Sequence, residues 1–128
     1  MKSVILSVDS NLPIYEQIYN QIVAQILQGD LKANDMLPSI RTAAKDLGVS
    51  VITINRTWDD LERDGYIYTT PGKGTFVNQL NLKQIHDKRI LILKDKLVSD
   101  LVYYKKLGIQ KEDIARVVEE VFESKDLS

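Results

Sequence analysis

The 128-residue sequence predicts a mostly α-helical protein with one small β-hairpin. Three observations carry that prediction. Apolar residues recur at three- and four-residue spacing through most of the chain, the period of a helix face. Serines stand just before two of the shorter periodic runs and glycines just after them, in the places of helix caps. One stretch, residues 66–77, is β-prone on both sides of a Pro-Gly-Lys-Gly turn.

In chain order, residues 4–8 (Val-Ile-Leu-Ser-Val) are expected to form a short strand. Pro13 suits the first turn of a helix, where its missing N–H is no loss. From there Ile14, Ile18, Ile22, Val23, Ile26 and Leu27 make one apolar stripe, and Gly29-Asp30 ends the helix. Residues 30–37 read as a loop with Leu31 and Leu37 tucked beneath it. Ser39 caps a short helix reaching Leu47, with Ala43, Ala44 and Leu47 inward; Gly48 supplies a positive-φ stop and Val49 plugs the core. Ser50 caps the next helix, whose Ile54, Trp58 and Leu61 form the inner stripe as far as Gly65. Residues 66–70 and 75–77 are the strands, joined by Pro71-Gly72-Lys73-Gly74.

A composition shift at 78–81 separates this part from the remainder of the chain. The domains are therefore drawn as residues 1–80 and 81–128. In the second, a long helix over 83–107 carries two apolar stripes, one of Ile90, Leu93, Leu97, Leu101 and Tyr104, the other of Leu91, Val98 and Val102. Gly108 closes it. The last helix, 111–124, shows Ile114, Val117, Val118, Val121 and Phe122 on one face, with Glu112 and Asp113 at its positive dipole end. One short partner helix leaves apolar flanks of the long one uncovered. A symmetric homodimer through Ile90, Leu93, Leu97, Leu101, Tyr104, Val118 and Phe122 would cover them.

Composition narrows the function. The chain is 44% hydrophobic and 27% charged, enough for a core in a soluble protein. With no cysteine, disulfides and thiolate metal sites are excluded. The N-terminal apolar run is too short for a signal-peptide core, and the longest aliphatic run, residues 90–93, cannot span a membrane. A cytoplasmic protein without membrane contact is expected. No carboxylate pair, Cys/His pair or metal-spaced cluster supports an enzyme, and neither metal nor cofactor is expected.

Helix, turn and helix followed by a basic-tipped hairpin is a compact device for reading duplex DNA, the winged helix-turn-helix. Net charge argues the other way. Seventeen basic against eighteen acidic residues give −1. Residues 1–80 hold seven Lys/Arg against nine Asp/Glu, hence −2. The distribution is more favourable. Between Pro38 and Thr57 the only acid is Asp46, against Arg41, Lys45 and Arg56, whereas Asp59, Asp60, Glu62 and Asp64 lie towards the end of the second motif helix.

Residues 37–77 resemble the winged helix-turn-helix of the GntR family of bacterial transcription regulators. The matching residues are Leu37-Pro38-Ser39, Arg41, Ala44, Leu47-Gly48-Val49-Ser50, Thr53, Leu61, Gly65-Tyr66-Ile67 and Gly72-Lys73-Gly74-Thr75-Phe76-Val77. Pro13-Ile14-Tyr15-Glu16-Gln17-Ile18 is similar to that family's first helix, and the short tail looks like the YtrA-type branch, with two dimerising helices in place of an effector domain. The resemblance implies a homodimeric, nucleoid-associated regulator, often a repressor, on an inverted-repeat operator in double-stranded DNA. It also implies roles. Ser39 would offer its hydroxyl and nearby N–H groups to a phosphate, and Arg41 a phosphate or guanine contact. Ser50 and Thr53 would contact phosphate or base edges. Asn55 stands where many relatives have arginine and can read adenine, while Val51 and Ile52 replace commoner polar residues and can meet thymine methyls. Arg56 would anchor on the backbone. Lys73, flanked by Gly72 and Gly74, would enter or skirt the minor groove. No small-molecule effector is identified.

Plainer readings compete. Ser39 and Ser50 cap helices whatever else they do, Arg41 could bridge to Asp46 or Asp60, and Val51 and Ile52 could pack at a subunit contact. Trp58 belongs to the core. The Gly-Lys-Gly-Thr run lacks the upstream glycine and following helix of a nucleotide-binding loop. His86, the only histidine, has no nucleophile or ligand set beside it. The rival to a DNA-binding regulator is a winged-helix module that binds protein instead.

Overall fold

The computed structural model describes residues 3–124. Helices α1 (Ile14–Leu27), α2 (Ile40–Leu47) and α3 (Val51–Arg63) precede strands β1 (Ile67–Thr70) and β2 (Gly74–Val77). Helices α4 (Leu82–Lys106) and α5 (Lys111–Glu123) complete the chain order. The fold class is thus mostly helical with one antiparallel hairpin. The chain falls into two compact units, one reaching to Ile85 and one beginning at His86.

In the first unit α1 packs on α3, and α2 packs on α3 from another side. Ile18 and Ile22 of α1 and Ile54 and Leu61 of α3 are fully buried, with Val23, Ile26 and Trp58 nearly so. Each such side chain contributes on the order of 1.5–3 kcal/mol, so the α1–α3 contact dominates the stability of this unit. Ala43 and Ala44 bury the inner face of α2 without bulk, and Leu31, Leu37, Tyr66, Ile67 and Val77 complete the core.

The hairpin pairs Ile67 with Val77 and Thr70 with Gly74. Its turn closes by Lys73 N–H donating to the Thr70 carbonyl at 2.9 Å. Pro71 presets the first central residue and Gly72, at φ 77°, takes the positive-φ place that a type II turn demands.

Two expectations are corrected. No strand forms over residues 4–8. Instead that backbone pairs with two glutamines one turn apart on α1. Ile5 N–H donates to Gln21 Oε1 at 2.8 Å, and Gln21 Nε2 donates back to the Ile5 carbonyl. Ser7 N–H donates to Gln17 Oε1 at 2.8 Å, while Gln17 Nε2 donates to the carbonyls of Ser7 (2.8 Å) and Leu12 (2.9 Å). A side-chain amide carries the same donor and acceptor as a peptide, so each glutamine replaces one rung of a sheet. Residues 30–37 form the expected loop with Leu31 and Leu37 buried beneath it, and the loop also pairs with the hairpin. Met36 bridges antiparallel to Phe76. Asn34 N–H to Val77 O, Val77 N–H to Asp35 O and Leu37 N–H to Thr75 O, each 2.8 Å, cover one edge of β2. Pro13 also stands one place earlier than expected, as the N-cap of α1.

Beyond the hairpin, Asn81 and Gln84 cap the start of α4 reciprocally, each side-chain oxygen accepting the other's backbone N–H at 2.8–2.9 Å. Gly108, at φ 80°, ends that helix. None of the side chains of α4 or α5 is buried.

Candidate nucleic-acid interface

Both motif helices begin with the same local arrangement, Ser-x-x-Thr. Ser39 Oγ accepts the Thr42 N–H at 3.1 Å and Ser50 Oγ accepts the Thr53 N–H at 3.1 Å. The serine hydroxyls are further engaged, Ser39 donating to Thr42 Oγ1 at 2.9 Å and Ser50 sharing a 2.8 Å bond with Thr53 Oγ1. This reassigns one outward donor. Because the Ser39 proton is used on Thr42, the free hydroxyl proton at the start of α2 is that of exposed Thr42, a residue not singled out from the sequence. The signal was available in the repeated Ser-x-x-Thr spacing.

The core stripe of α3 fixes what the opposite side shows. With Ile54, Thr57, Trp58 and Leu61 inward, Val51, Ile52, Asn55 and Arg56 face out. Thr57 is fully buried and returns its hydroxyl proton to the Thr53 carbonyl at 2.9 Å. Ile52 is 81% exposed and Val51 49% exposed. Ile52 so placed at a helix start gains little from the chain's own fold, and Val51 leaves about half of its surface uncovered. Arg41 is exposed on α2, and Lys73 is exposed on a different element, at the hairpin tip, with half-buried Gly74 beside it. Thus Ser39, Arg41 and the outward residues of 50–56 share two packed helices, and Lys73 sits on the wing.

Arg56 rests on an aromatic ring. Its Cζ lies 3.7 Å from the ring centroid of Tyr15, a half-buried residue of α1. Sequence spacing carries no sign of this contact, since the two residues meet only through the α1–α3 packing.

Charge is sorted between the two ends of α3. At its C-terminal end Arg63 spans Asp60 (2.9 Å) and Asp64 (3.3 Å), which together, Asp64 foremost, hold its guanidinium above the ordinary pKa. Asp64 also accepts the Tyr19 hydroxyl, and Glu62 accepts the Thr69 N–H at 3.0 Å. Burial first, and then the bond to Asp64, push the Tyr19 phenol far above its usual value. By contrast, among the described residues Arg41, Lys45, Arg56 and Lys73 form no ion pair, and Arg41 bridges to neither Asp46 nor Asp60. Among the described residues Asp60, Glu62 and Asp64 are engaged, exposed Asp59 is not, and the four cations are available.

In the second unit Ile90 and Leu101 are half-buried, while Leu93, Leu97, Tyr104, Val118 and Phe122 are exposed, Phe122 at 86%. Leu91, Val98 and Val102 are exposed too. Among the described residues no acidic, histidine or cysteine group is arranged to hold a metal, and no helix is long and apolar enough to cross a membrane.

Residues 14–77 match the sequence pattern of the bacterial regulatory proteins of the gntR family. The HTH-type transcriptional repressor YtrA of Bacillus subtilis is 29% identical over 112 residues, which are 88% of this chain and 86% of that protein. The probable rhizopine catabolism regulatory protein MocR of Rhizobium meliloti is 42% identical over 76 residues, 59% of this chain but only 15% of that protein. Among solved structures, a GntR family transcriptional regulator from Listeria monocytogenes superposes with a TM-score of 0.75 at 34% identity, covering 88% of this chain and 98% of that one. The DNA-binding domain of AraR in complex with its operator ORX1 superposes with a TM-score of 0.52 at 31% identity, over 59% of this chain and 94% of that one.

Proposed function

The chain belongs to the gntR family of bacterial regulatory proteins, a family of regulators and not of enzymes, and from that premise we propose that it represses transcription by binding an inverted-repeat operator as a homodimer. The first unit is the DNA-binding head. α3 enters the major groove by its N-terminal half, and the hairpin carries Lys73 to the flanking backbone or minor groove. Arg41 makes the bidentate phosphate or guanine contact, Asn55 reads adenine, and Val51 and Ile52 meet thymine methyls. The hydroxyl of Thr42 and the first N–H groups of α2 and α3 take phosphates, with Ser39, Ser50 and Thr53 holding those helix starts in shape.

The single observation that carries this reading is the sorting of charge. Arg41, Lys45, Arg56 and Lys73 form no ion pair among the described residues, while Asp60, Glu62 and Asp64 at the end of α3 are bound to Arg63, the Thr69 amide and Tyr19, leaving Asp59 as the one unengaged acid there. The likeness to the DNA-binding domain of AraR, solved in complex with its operator ORX1, supports DNA binding by this unit. The second unit supplies the dimer. Two faces of exposed aliphatic side chains on α4 and α5 would cover each other across a two-fold axis, setting the heads about 34 Å apart or at a longer spacing. A regulator of this kind works on the chromosome, in the cytoplasm.

The test is binding of fluorescently labelled duplex, with an operator enriched from random sequences by the wild-type protein. Affinity should fall steeply with ionic strength, and Arg41→Ala should weaken it by about 1–3 kcal/mol. If no duplex is enriched and none binds at low salt, the reading gives way to a winged-helix module that binds protein.

A further inference from the structure

We propose that Tyr15, which lies on α1 and outside the helix-turn-helix itself, is a positioning residue of the nucleic-acid interface. Its ring holds the Arg56 guanidinium in place so that the N–H edge is presented to a backbone phosphate. The proposal rests on the DNA-binding reading of the first unit.

The geometry sets out the division of labour. At 3.7 Å from Cζ to the ring centroid, the guanidinium and the phenol ring are in stacking contact. Stacking uses the face of a planar guanidinium and consumes none of its five in-plane donors. The donors are not spent elsewhere: among the described residues no carboxylate, Asp59 included, forms an ion pair with Arg56, and Asp60, one turn further along α3, is held by Arg63. The ring is itself a fixed platform. Tyr15 is half-buried at the α1–α3 contact, and its hydroxyl donates to Glu16 Oε1 at 3.3 Å, so its proton stays within α1. An unsupported arginine gives up rotamer freedom when it closes on a phosphate, whereas here much of that freedom is already lost on folding.

The test is a double-mutant cycle on the full chain, read by anisotropy with a labelled random-sequence duplex at low salt, a probe that reports phosphate contacts without needing the operator. Tyr15→Leu should weaken binding about three- to tenfold, Tyr15→Phe should not, and Tyr15→Leu should have no further effect in an Arg56→Ala background. Arg56→Lys, which leaves Tyr15 and the buried side chains between α1 and α3 in place, should lose most of the same factor and keeps the test open if Tyr15→Leu does not fold. Equal losses from Tyr15→Leu with and without Arg56 would overturn the proposal, as would an unchanged Arg56→Lys protein. If Arg56→Ala leaves duplex binding intact, Arg56 is no anchor and the proposal falls while the DNA-binding reading stands. If the wild type binds no duplex, both fall.

Discussion

Ile52→Ala should separate sequence reading from folding. The side chain is 81% exposed at the start of α3, so its removal leaves no cavity and unfolding free energy should change by less than about 0.5 kcal/mol. The loss on DNA is larger. The substitution deletes three carbons, each worth about 0.8 kcal/mol when fully buried. In a wet groove a thymine methyl covers about half of that area, which leaves about 1 kcal/mol, or roughly fivefold, for each subunit. A symmetric operator engages two subunits, so the dimer should lose about 2 kcal/mol, roughly thirtyfold. A scrambled duplex of equal length offers no aligned methyl and should be bound as before. Parallel anisotropy titrations on the two duplexes, at one salt concentration, measure the difference. Equal losses on both would refute a base contact. A loss accompanied by a shift to monomer in sedimentation would place Ile52 at a subunit contact.

Gln17→Ala strips three hydrogen bonds from the backbone of Ser7 and Leu12. It should lower stability by about 2–4 kcal/mol in urea unfolding, and a change under about 0.5 kcal/mol would show that the 3–12 segment adds nothing. Stability should also fall above about pH 10. Tyr19 and Tyr66, their pKa values raised mainly by burial, stay protonated in the fold while unfolded tyrosine ionises. The unfolded state then binds fewer protons, and unfolding free energy decreases as pH rises. Tyr19→Phe should flatten that decline in urea midpoints taken from pH 8 to 11, and an unchanged slope would count against it. Finally, the four cations assigned to the interface in each head, Arg41, Lys45, Arg56 and Lys73, predict a log–log salt slope of about −3.6 per head and about −7 for a dimer. A dimer slope shallower than about −3 would mean that most of them do not meet phosphate.

Much of the fold was legible because local chemistry and tertiary packing agree in this chain. Ser39, Gly48 and Ser50 mark helix ends by capping geometry that depends on a few neighbouring residues, and all three do so here. The inward stripe Ile54, Trp58, Leu61 and the Pro71-Gly72 turn are equally local. What escaped the sequence is long-range. The run at 4–8 has strand composition, yet its pairing partners are Gln17 and Gln21, whose apolar-stripe spacing on α1 says nothing about where their amides point. Met36 joins the hairpin edge because the chain entering α2 must pass β2. Tyr15 and Arg56 are forty-one positions apart in the numbering and meet only once α1 lies on α3. The outward residues of α3 were readable as a set, since burying 54, 58 and 61 turns 51, 52, 55 and 56 outward, although the burial of Thr57 was not foreseen. The exchange of the outward hydroxyl from Ser39 to Thr42 depends on a side-chain bond that spacing can suggest but not orient.

The net charge of −2 over residues 1–80 poses a problem only if charge is counted over that whole stretch. A phosphate responds to charges within about a Debye length, roughly 8 Å at physiological salt. Asp60 stands ten residues along α3 from Ser50, about 15 Å at 1.5 Å per residue. A carboxylate at that distance is screened from a phosphate at the start of the helix even before Arg63 engages it. The field there is made instead by Arg41, Lys45 and Arg56, by Asp46 against them, and by the positive ends of two helices whose first N–H groups are only partly taken by Ser39 and Ser50. Such a field is short in range. It rewards close docking and gives little long-range attraction, so a lone head gains modest affinity and little steering. In the proposed dimer, doubling the head would raise affinity through effective concentration and not through added charge. In that view the apolar faces of α4 and α5 compensate for the weak basicity of the head, and a mutation that splits the pair should cost more operator affinity than the loss of any one cation.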